Sequence, residues 1–110
     1  MNRGDVWLID LGGRIGTRPV VVLTRQNVLR FLNKVTVAEI TTKGKGYPTE
    51  IFINQKANLP KPSFVQTENL HTVTKKKLEK FLGTLDQDTM TKVSQKVVLA
   101  LELENAMPDR

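Results

Sequence analysis

Residues 18–24 read Arg-Pro-Val-Val-Val-Leu-Thr, a run of β-branched and apolar residues behind a single proline. Such residues favour strands, and a proline is tolerated at the start of a strand because the missing N–H costs little there. This run therefore predicts a strand in the centre of a sheet.

Further strands are predicted on both sides of this run. Short apolar or alternating stretches bounded by Gly, Pro or polar residues place them at residues 3–11, 34–41, 49–53, 63–70 and 81–85. Residues 12–16 form a Gly-rich turn after the first strand, and residues 26–32 predict a short helical turn. The pattern indicates a small, curled antiparallel sheet or barrel.

The second half of the chain turns helical. Thr74 is placed to cap a short basic helix over residues 75–80, and Asp86 to cap an amphipathic helix that runs to about Glu104. Residues 97–101 are apolar on all sides, so this end is either deeply buried or meets a partner. With no linker or internal repeat, we expect one domain over residues 1–110, of mostly β or α+β class.

The composition of the chain excludes several classes of protein. The chain has 110 residues and no cysteine, which excludes disulfide scaffolds and thiol chemistry and fits a reducing cytoplasm. The sequence predicts no secretory signal and no membrane span.

The net charge of +6 is unevenly distributed. Residues 1–62 carry 10 Lys/Arg and 4 Asp/Glu (10 − 4 = +6), whereas residues 63–110 carry 7 of each. A basic face suits a polyanion such as RNA, although it equally suits a solvated surface.

Several kinds of catalytic site are disfavoured. One histidine and no paired-carboxylate spacing argue against a metal site, and the Gly-rich turn lacks the Lys-Ser/Thr of a phosphate-binding loop. Three further features have an ordinary structural interpretation: His71 as a surface or hydrogen-bonded residue, Lys75–Lys77 as a solvated helix face and Trp7 as a core residue. Tyr47, in a Gly-flanked loop, is a candidate for stacking on a base.

One pair of positions is more specific. If residues 18–24 and 35–41 are equally long antiparallel strands, position 18 faces 41 and 24 faces 35, since both sums are 59. Arg18 then meets Thr41, which places a guanidinium beside a hydroxyl.

Three blocks of sequence resemble the MazF/PemK toxins. These are residues 3–7 (RGDVW), 18–23 (RPVVVL) and 40–50 (ITTKGKGYPTE), and the similarity continues through residues 68–73 (ENLHTV) and the helix from Asp86. The loop between the first two strands is shorter than in many members and lacks their Gly-Ser-Glu segment. The acidic catalytic helper of such members is therefore not carried over.

The resemblance implies an SH3-like barrel of about five to six antiparallel strands with short helices and a C-terminal amphipathic helix. It implies a homodimeric, cytoplasmic toxin that a MazE-like antitoxin neutralises and that cuts single-stranded RNA (mRNA, with tRNA or rRNA as further targets) at short sequences without a metal or other cofactor. Arg18 and Thr41 match the family's catalytic arginine and threonine. The candidates for RNA contact are Arg14, Thr42, Lys43, Lys45, Tyr47, Glu68, Asn69 and His71.

Two other functions stay open. The gyrase poisons of the same fold use a C-terminal tail that contains tryptophan, whereas residues 107–110 here hold no aromatic residue. A non-catalytic RNA-binding barrel would also explain the basicity.

Overall fold

A computed structural model describes residues 1–106, so the tail that bears on the gyrase-poison alternative lies outside the described residues. Six strands are present: β1 (Asp5–Asp10), β2 (Thr17–Val22), β3 (Lys34–Thr41), β4 (Glu50–Asn54), β5 (Ser63–Thr74) and β6 (Leu78–Thr84). Helix α1 spans Gln87–Ala100, and short 3-10 helices span Gln26–Phe31, Lys75–Lys77 and Glu104–Ala106. Nowhere in this part of the chain is a helix both long enough and apolar enough to cross a membrane.

The six strands form one antiparallel sheet in the order β4-β5-β3-β2-β1-β6. The expectation that the strand after Arg18 is central is confirmed, because β2 lies between β3 and β1. The expected barrel is not fully closed, since β4 and β6 are the two ends of this order. The loop after β4 nevertheless approaches β6, where the Asn58 side chain donates a hydrogen bond to the Leu82 carbonyl at 2.7 Å. At the same place a Cβ on Gly83 would lie 2.9 Å from the Ala57 backbone, so this near closure requires glycine.

Alternate residues of the central strands pack on opposite sides of the sheet. Val21, Ala38 and Ile40 join a cluster that also includes Met90 and Val93 of α1. The residues between them face the other way, and Val20, Val22 and Val37 form a second cluster with Ile9 and Leu29. This second side of the sheet carries the candidate site.

The RGDVW block is largely structural. The Arg3 guanidinium donates to the Leu23 carbonyl and to the Ser94 hydroxyl of α1, at 3.0 and 2.7 Å. Buried Asp5 accepts from the Thr84 hydroxyl at 2.7 Å. This block therefore ties the edge of β1 to the closing helix.

The predicted bounds of the elements between residues 70 and 81 were wrong. The basic helix over residues 75–80 shrinks to the 3-10 turn Lys75–Lys77, and Thr74 makes no side-chain cap. Pairing with neighbouring strands decides this region: β5 continues to Thr74 opposite Lys34, and β6 begins at Leu78 opposite Ile9. These pairings satisfy backbone groups that a surface helix would otherwise have to satisfy itself.

The closing helix begins as predicted and ends earlier. The Asp86 side chain accepts from the Thr89 N–H at 2.7 Å, which confirms the cap. Glu102 adopts φ 55°, and the Leu103 N–H bonds to the Val98 carbonyl at 2.9 Å. The left-handed conformation of Glu102 and the hydrogen bond from Leu103 back to Val98 terminate the helix at Ala100 without a glycine.

Candidate active site

The predicted register of β2 and β3 is confirmed. Val20 pairs with Glu39 and Val22 with Val37, so each pair sums to 59, as the sequence argument required. Continuing this register brings Arg18 opposite Thr41. Both residues line one cavity of about 300 Å³, together with Glu39, Thr42, Lys43, Lys45 and Gln66.

The Thr41 hydroxyl is oriented by the backbone that follows it. The Lys43 N–H donates to Thr41 Oγ1 at 3.1 Å. Because this contact uses the oxygen as an acceptor, the hydroxyl proton stays available for a bond into the cavity. Thr41 is thus prepared to donate to an oxygen of a bound ligand.

A carboxylate holds the loop that carries the cavity lysines. Glu50 Oε1 accepts from the N–H groups of Lys45 and Gly46, each at 2.9 Å. Its Oε2 accepts from Gln66 Nε2 at 3.0 Å. Desolvation by burial raises the pKa of Glu50, but the hydrogen bonds from Gln66 and from neighbouring backbone N–H groups outweigh it, so the pKa lies below its ordinary value. Glu50 therefore remains an anion that fixes this loop.

The loop also approaches an aromatic pair. A Cβ on Gly44 would lie 3.0 Å from the Phe64 ring, so a larger residue at position 44 would push the loop away. Phe64 packs on Phe52 with ring centroids 5.1 Å apart, and Phe52 is 57% exposed. Tyr47 is exposed and lies outside the residues that line the cavity.

The remaining candidates for RNA contact have different positions. Asn69 Nδ2 donates to Gln66 Oε1 at 3.0 Å, which links it to the cavity through one intermediate side chain. Glu68 accepts from the Thr49 hydroxyl at 2.9 Å. Arg14 is exposed in the turn between β1 and β2 and is not among the cavity residues. Their contact with RNA stays a prediction.

His71 does have a structural partner. Its Nε2 lies 2.6 Å from Glu39 Oε2, and neither side chain is more than a third exposed. The interpretation of His71 as a hydrogen-bonded residue therefore agrees with its position in the structure.

Sequence reasoning missed three polar residues of this site: Glu39, Glu50 and Gln66. Glu39 was accessible in principle, because it lies two positions before Thr41 and strand side chains on one face recur every second residue. Glu50 and Gln66 were assigned to strands without a role, because their importance depends on a loop that folds back onto them.

The charges in the cavity suit an anion in part of its volume. Arg18, Lys43 and Lys45 contribute cations, whereas Glu39 is the acidic residue of the lining. Phosphate oxygens would be attracted to the cationic part, and a proton acceptor would stand nearby.

Comparisons with known proteins give matches over nearly the whole chain. Residues 2–101 match the family described as the PemK-like, MazF-like toxin of type II toxin-antitoxin systems. An endoribonuclease MazF of Staphylococcus epidermidis is 33% identical over 114 residues, which cover 96% of this chain and 94% of that protein.

Solved structures show the same fold. A mycobacterial endoribonuclease in complex with its cognate antitoxin superposes with a TM-score of 0.84 at 27% identity, covering 98% of this chain and 99% of that one. The Mycobacterium tuberculosis toxin MazF-mt6 gives a TM-score of 0.82 at 30% identity, covering 91% of this chain and 98% of that one.

Proposed function

This chain belongs to the PemK-like, MazF-like toxins of type II toxin-antitoxin systems, and from that premise we propose that it cuts single-stranded RNA as a sequence-specific, metal-independent endoribonuclease. The observation that carries the proposal is the placement of Arg18 and Thr41 in one open, mainly cationic cavity. The register that brings them together follows from β2 and β3 alone.

The proposed reaction uses the RNA's own 2′-OH as the nucleophile. Attack of O2′ on the adjacent phosphorus forms a crowded, negatively charged phosphorane, and loss of O5′ leaves a 2′,3′-cyclic phosphate and a 5′-OH. The Arg18 guanidinium is a planar fork that can bond two phosphate oxygens and stabilise the developing charge. The oriented Thr41 hydroxyl donates a further hydrogen bond to the same centre.

The proposal assigns charge neutralisation to these side chains and none of it to a metal ion. In residues 1–106, His, Asp and Glu side chains nowhere gather in groups of three or more that could hold an ion. Lys43, Lys45 and Thr42 line the same cavity and are proposed to hold neighbouring phosphates. Tyr47 and Arg14, both exposed, are proposed to contact bases or backbone further along the strand.

Partners are proposed from the surface. Leu99 near the end of α1 and Leu101 and Leu103 just after it are 46%, 51% and 36% exposed. This apolar patch suits a second copy of the chain, and we propose a homodimer. The basic first half suits an acidic MazE-like antitoxin that covers the RNA groove. We further propose a cytoplasmic location, and one domain for the whole chain.

The decisive experiment incubates purified protein with a single-stranded RNA library in excess chelator. We expect cutting at short, recurrent sequences, with cyclic-phosphate and 5′-OH ends. A matched oligonucleotide with one deoxyribose at the cut position should survive, because it lacks the nucleophile. Binding without cutting, or activity that chelator abolishes and magnesium restores, would refute this function.

A further inference from the structure

The roles proposed for Arg18 and Thr41 do not use the partly buried contact between Glu39 and His71. Glu39 Oε2 lies 2.6 Å from His71 Nε2, and the two side chains are 14% and 29% exposed. Glu39 also lines the cavity that holds Arg18 and Thr41. The pair thus lies at the wall of the candidate active site.

The backbone explains why the two side chains meet. Val37, Glu39 and Thr41 alternate along β3 and share one face of the sheet. On β5, Gln66 pairs with Glu39, but the next pair along the ladder is Ala38 with Leu70. Residues 67–69 are therefore accommodated in an irregularity of the strand. This irregularity brings His71 to within hydrogen-bonding distance of Glu39.

A simple stabilising role explains the pair poorly. Val37, the preceding residue on the same face of β3, is completely buried, so an apolar side chain at position 39 would extend the core. Taking a carboxyl group partly out of water costs free energy that a single polar partner often fails to recover. A carboxyl group at the wall of a cavity that also holds Arg18 and Thr41 is placed for a functional use.

Proton transfer is the task that Arg18 and Thr41 leave open. A guanidinium stays protonated near neutral pH and makes a poor base, and a threonine hydroxyl is no better. A carboxylate retains lone pairs on its second oxygen while His71 occupies the first. Glu39 can therefore accept a proton without losing its partner.

We propose that Glu39 is the general base of the reaction and that His71 is the positioning residue that orients it. This inference rests on the proposed function. Glu39 takes the proton of the 2′-OH while O2′ bonds to phosphorus and the P–O5′ bond breaks. The leaving O5′ takes a proton from water, and Glu39 returns its own proton to solvent.

The test measures single-turnover cleavage, with protein in excess, by Glu39→Gln. Because glutamine keeps the shape and can still accept from His71, this variant should fold and bind a 2′-deoxy RNA as the wild type does. We expect its rate to fall about a hundredfold to ten-thousandfold, the usual contribution of a general base. Glu79→Gln makes the same charge change at an exposed position of β6 and should retain full activity.

Two further measurements distinguish a base from other roles. Substrate with sulfur in place of O5′ needs no protonation of its leaving group, so Glu39→Gln should lose as much on this substrate as on ordinary RNA. Glu39→Ala, which leaves space for a small carboxylate, should regain activity with added formate. The equal loss on the sulfur substrate excludes a role as the acid, and the rescue by formate would not follow from a merely structural role for Glu39.

His71 is tested by what restores it. His71→Ala should lower the rate by a smaller factor than Glu39→Gln, and His71→Gln should restore most of it because its amide N–H can reach the same carboxylate oxygen. Equal losses in both His71 variants would remove the positioning role.

The inference and the proposed function fail separately. If wild-type protein does not cut RNA, the function itself fails. If wild type cuts and Arg18→Ala does not, while Glu39→Gln cuts at the wild-type rate, only the inference fails. Full recovery of Glu39→Gln on the sulfur substrate would overturn the base assignment, since it would identify Glu39 as the acid.

Discussion

Replacing Arg18 by alanine tests the candidate site with little disturbance to the fold. Arg18 is exposed at the start of β2, two positions before the fully buried Val20. Changes at exposed positions usually alter stability by less than about 0.5 kcal/mol. Any large effect on cleavage therefore reports the chemical role of the guanidinium.

The expected size of the effect follows from the cavity. Removing one preorganised donor to a developing oxyanion typically costs on the order of 100- to 1,000-fold in rate, or about 2.7–4 kcal/mol. The cavity is open to solvent at the exposed Arg18, and water screens part of that interaction. We therefore expect a loss of about a hundredfold. The cleavage rate of Arg18→Lys should lie between those of the wild type and Arg18→Ala, because lysine restores the positive charge but not the planar fork.

The assay is single-turnover cleavage of a labelled RNA at saturating protein, which separates the chemical step from binding. Arg25→Ala is the matched control, since it removes the same charge from an exposed position outside the cavity. The affinity for 2′-deoxy RNA, measured at several salt concentrations, reports binding without cleavage. Loss of one phosphate contact should reduce the slope of log affinity against log salt concentration by about 0.7. A dimeric, folded Arg18→Ala protein that cuts at the wild-type rate would refute the assignment.

Three further predictions follow from the same structure. Thr41→Val should slow cleavage by about tenfold or more, whereas Thr41→Ser should retain most activity, since only the hydroxyl is required. Equal cleavage rates for Thr41→Val and Thr41→Ser would contradict this. Glu50→Gln should loosen the lysine loop. Because the folded-state pKa of Glu50 is lowered, its stabilisation is complete above the ordinary value of 4.5 and is lost as pH falls through the folded value. The difference in unfolding free energy between wild type and Glu50→Gln should therefore shrink in acid, as urea titrations can show. Ile40→Ala should cost about 2–5 kcal/mol in the same titrations, because Ile40 is 99% buried beneath α1.

Local patterns were sufficient for most of the sheet. The run at Val20, Val21 and Val22 predicted an interior strand. The bounds of β3 also match the prediction, because local sequence signals mark both of its ends. The basic segment after Thr74 failed for the opposite reason. Its local preference for a helix was overridden by pairing of β6 with β1, a contact between residues about 70 positions apart.

The site shows the same division between local and distant information. Equal strand lengths placed Arg18 opposite Thr41, because a hairpin-like register needs only the ends of two neighbouring strands. The partner of Glu39 depended on the irregularity at residues 67–69 of β5, which no hydrophobic alternation encodes.

Read as a regular strand, β5 gives no reason for His71 to meet Glu39. If β5 stayed regular beyond Gln66 and Glu39, each later residue would pair with one earlier residue of β3, and position 71 would fall opposite residue 34. The irregularity instead pairs His71 with Val37. Val37 and Glu39 share one face of β3, so His71 comes close to Glu39. Residues 67–69, which do not line the cavity, therefore decide which side chain faces the carboxylate of Glu39. Deleting them would join Gln66 directly to Leu70, which already pairs with Ala38, so the resulting regular ladder should keep His71 opposite Val37 and close to Glu39 and leave the Arg18–Thr41 register intact.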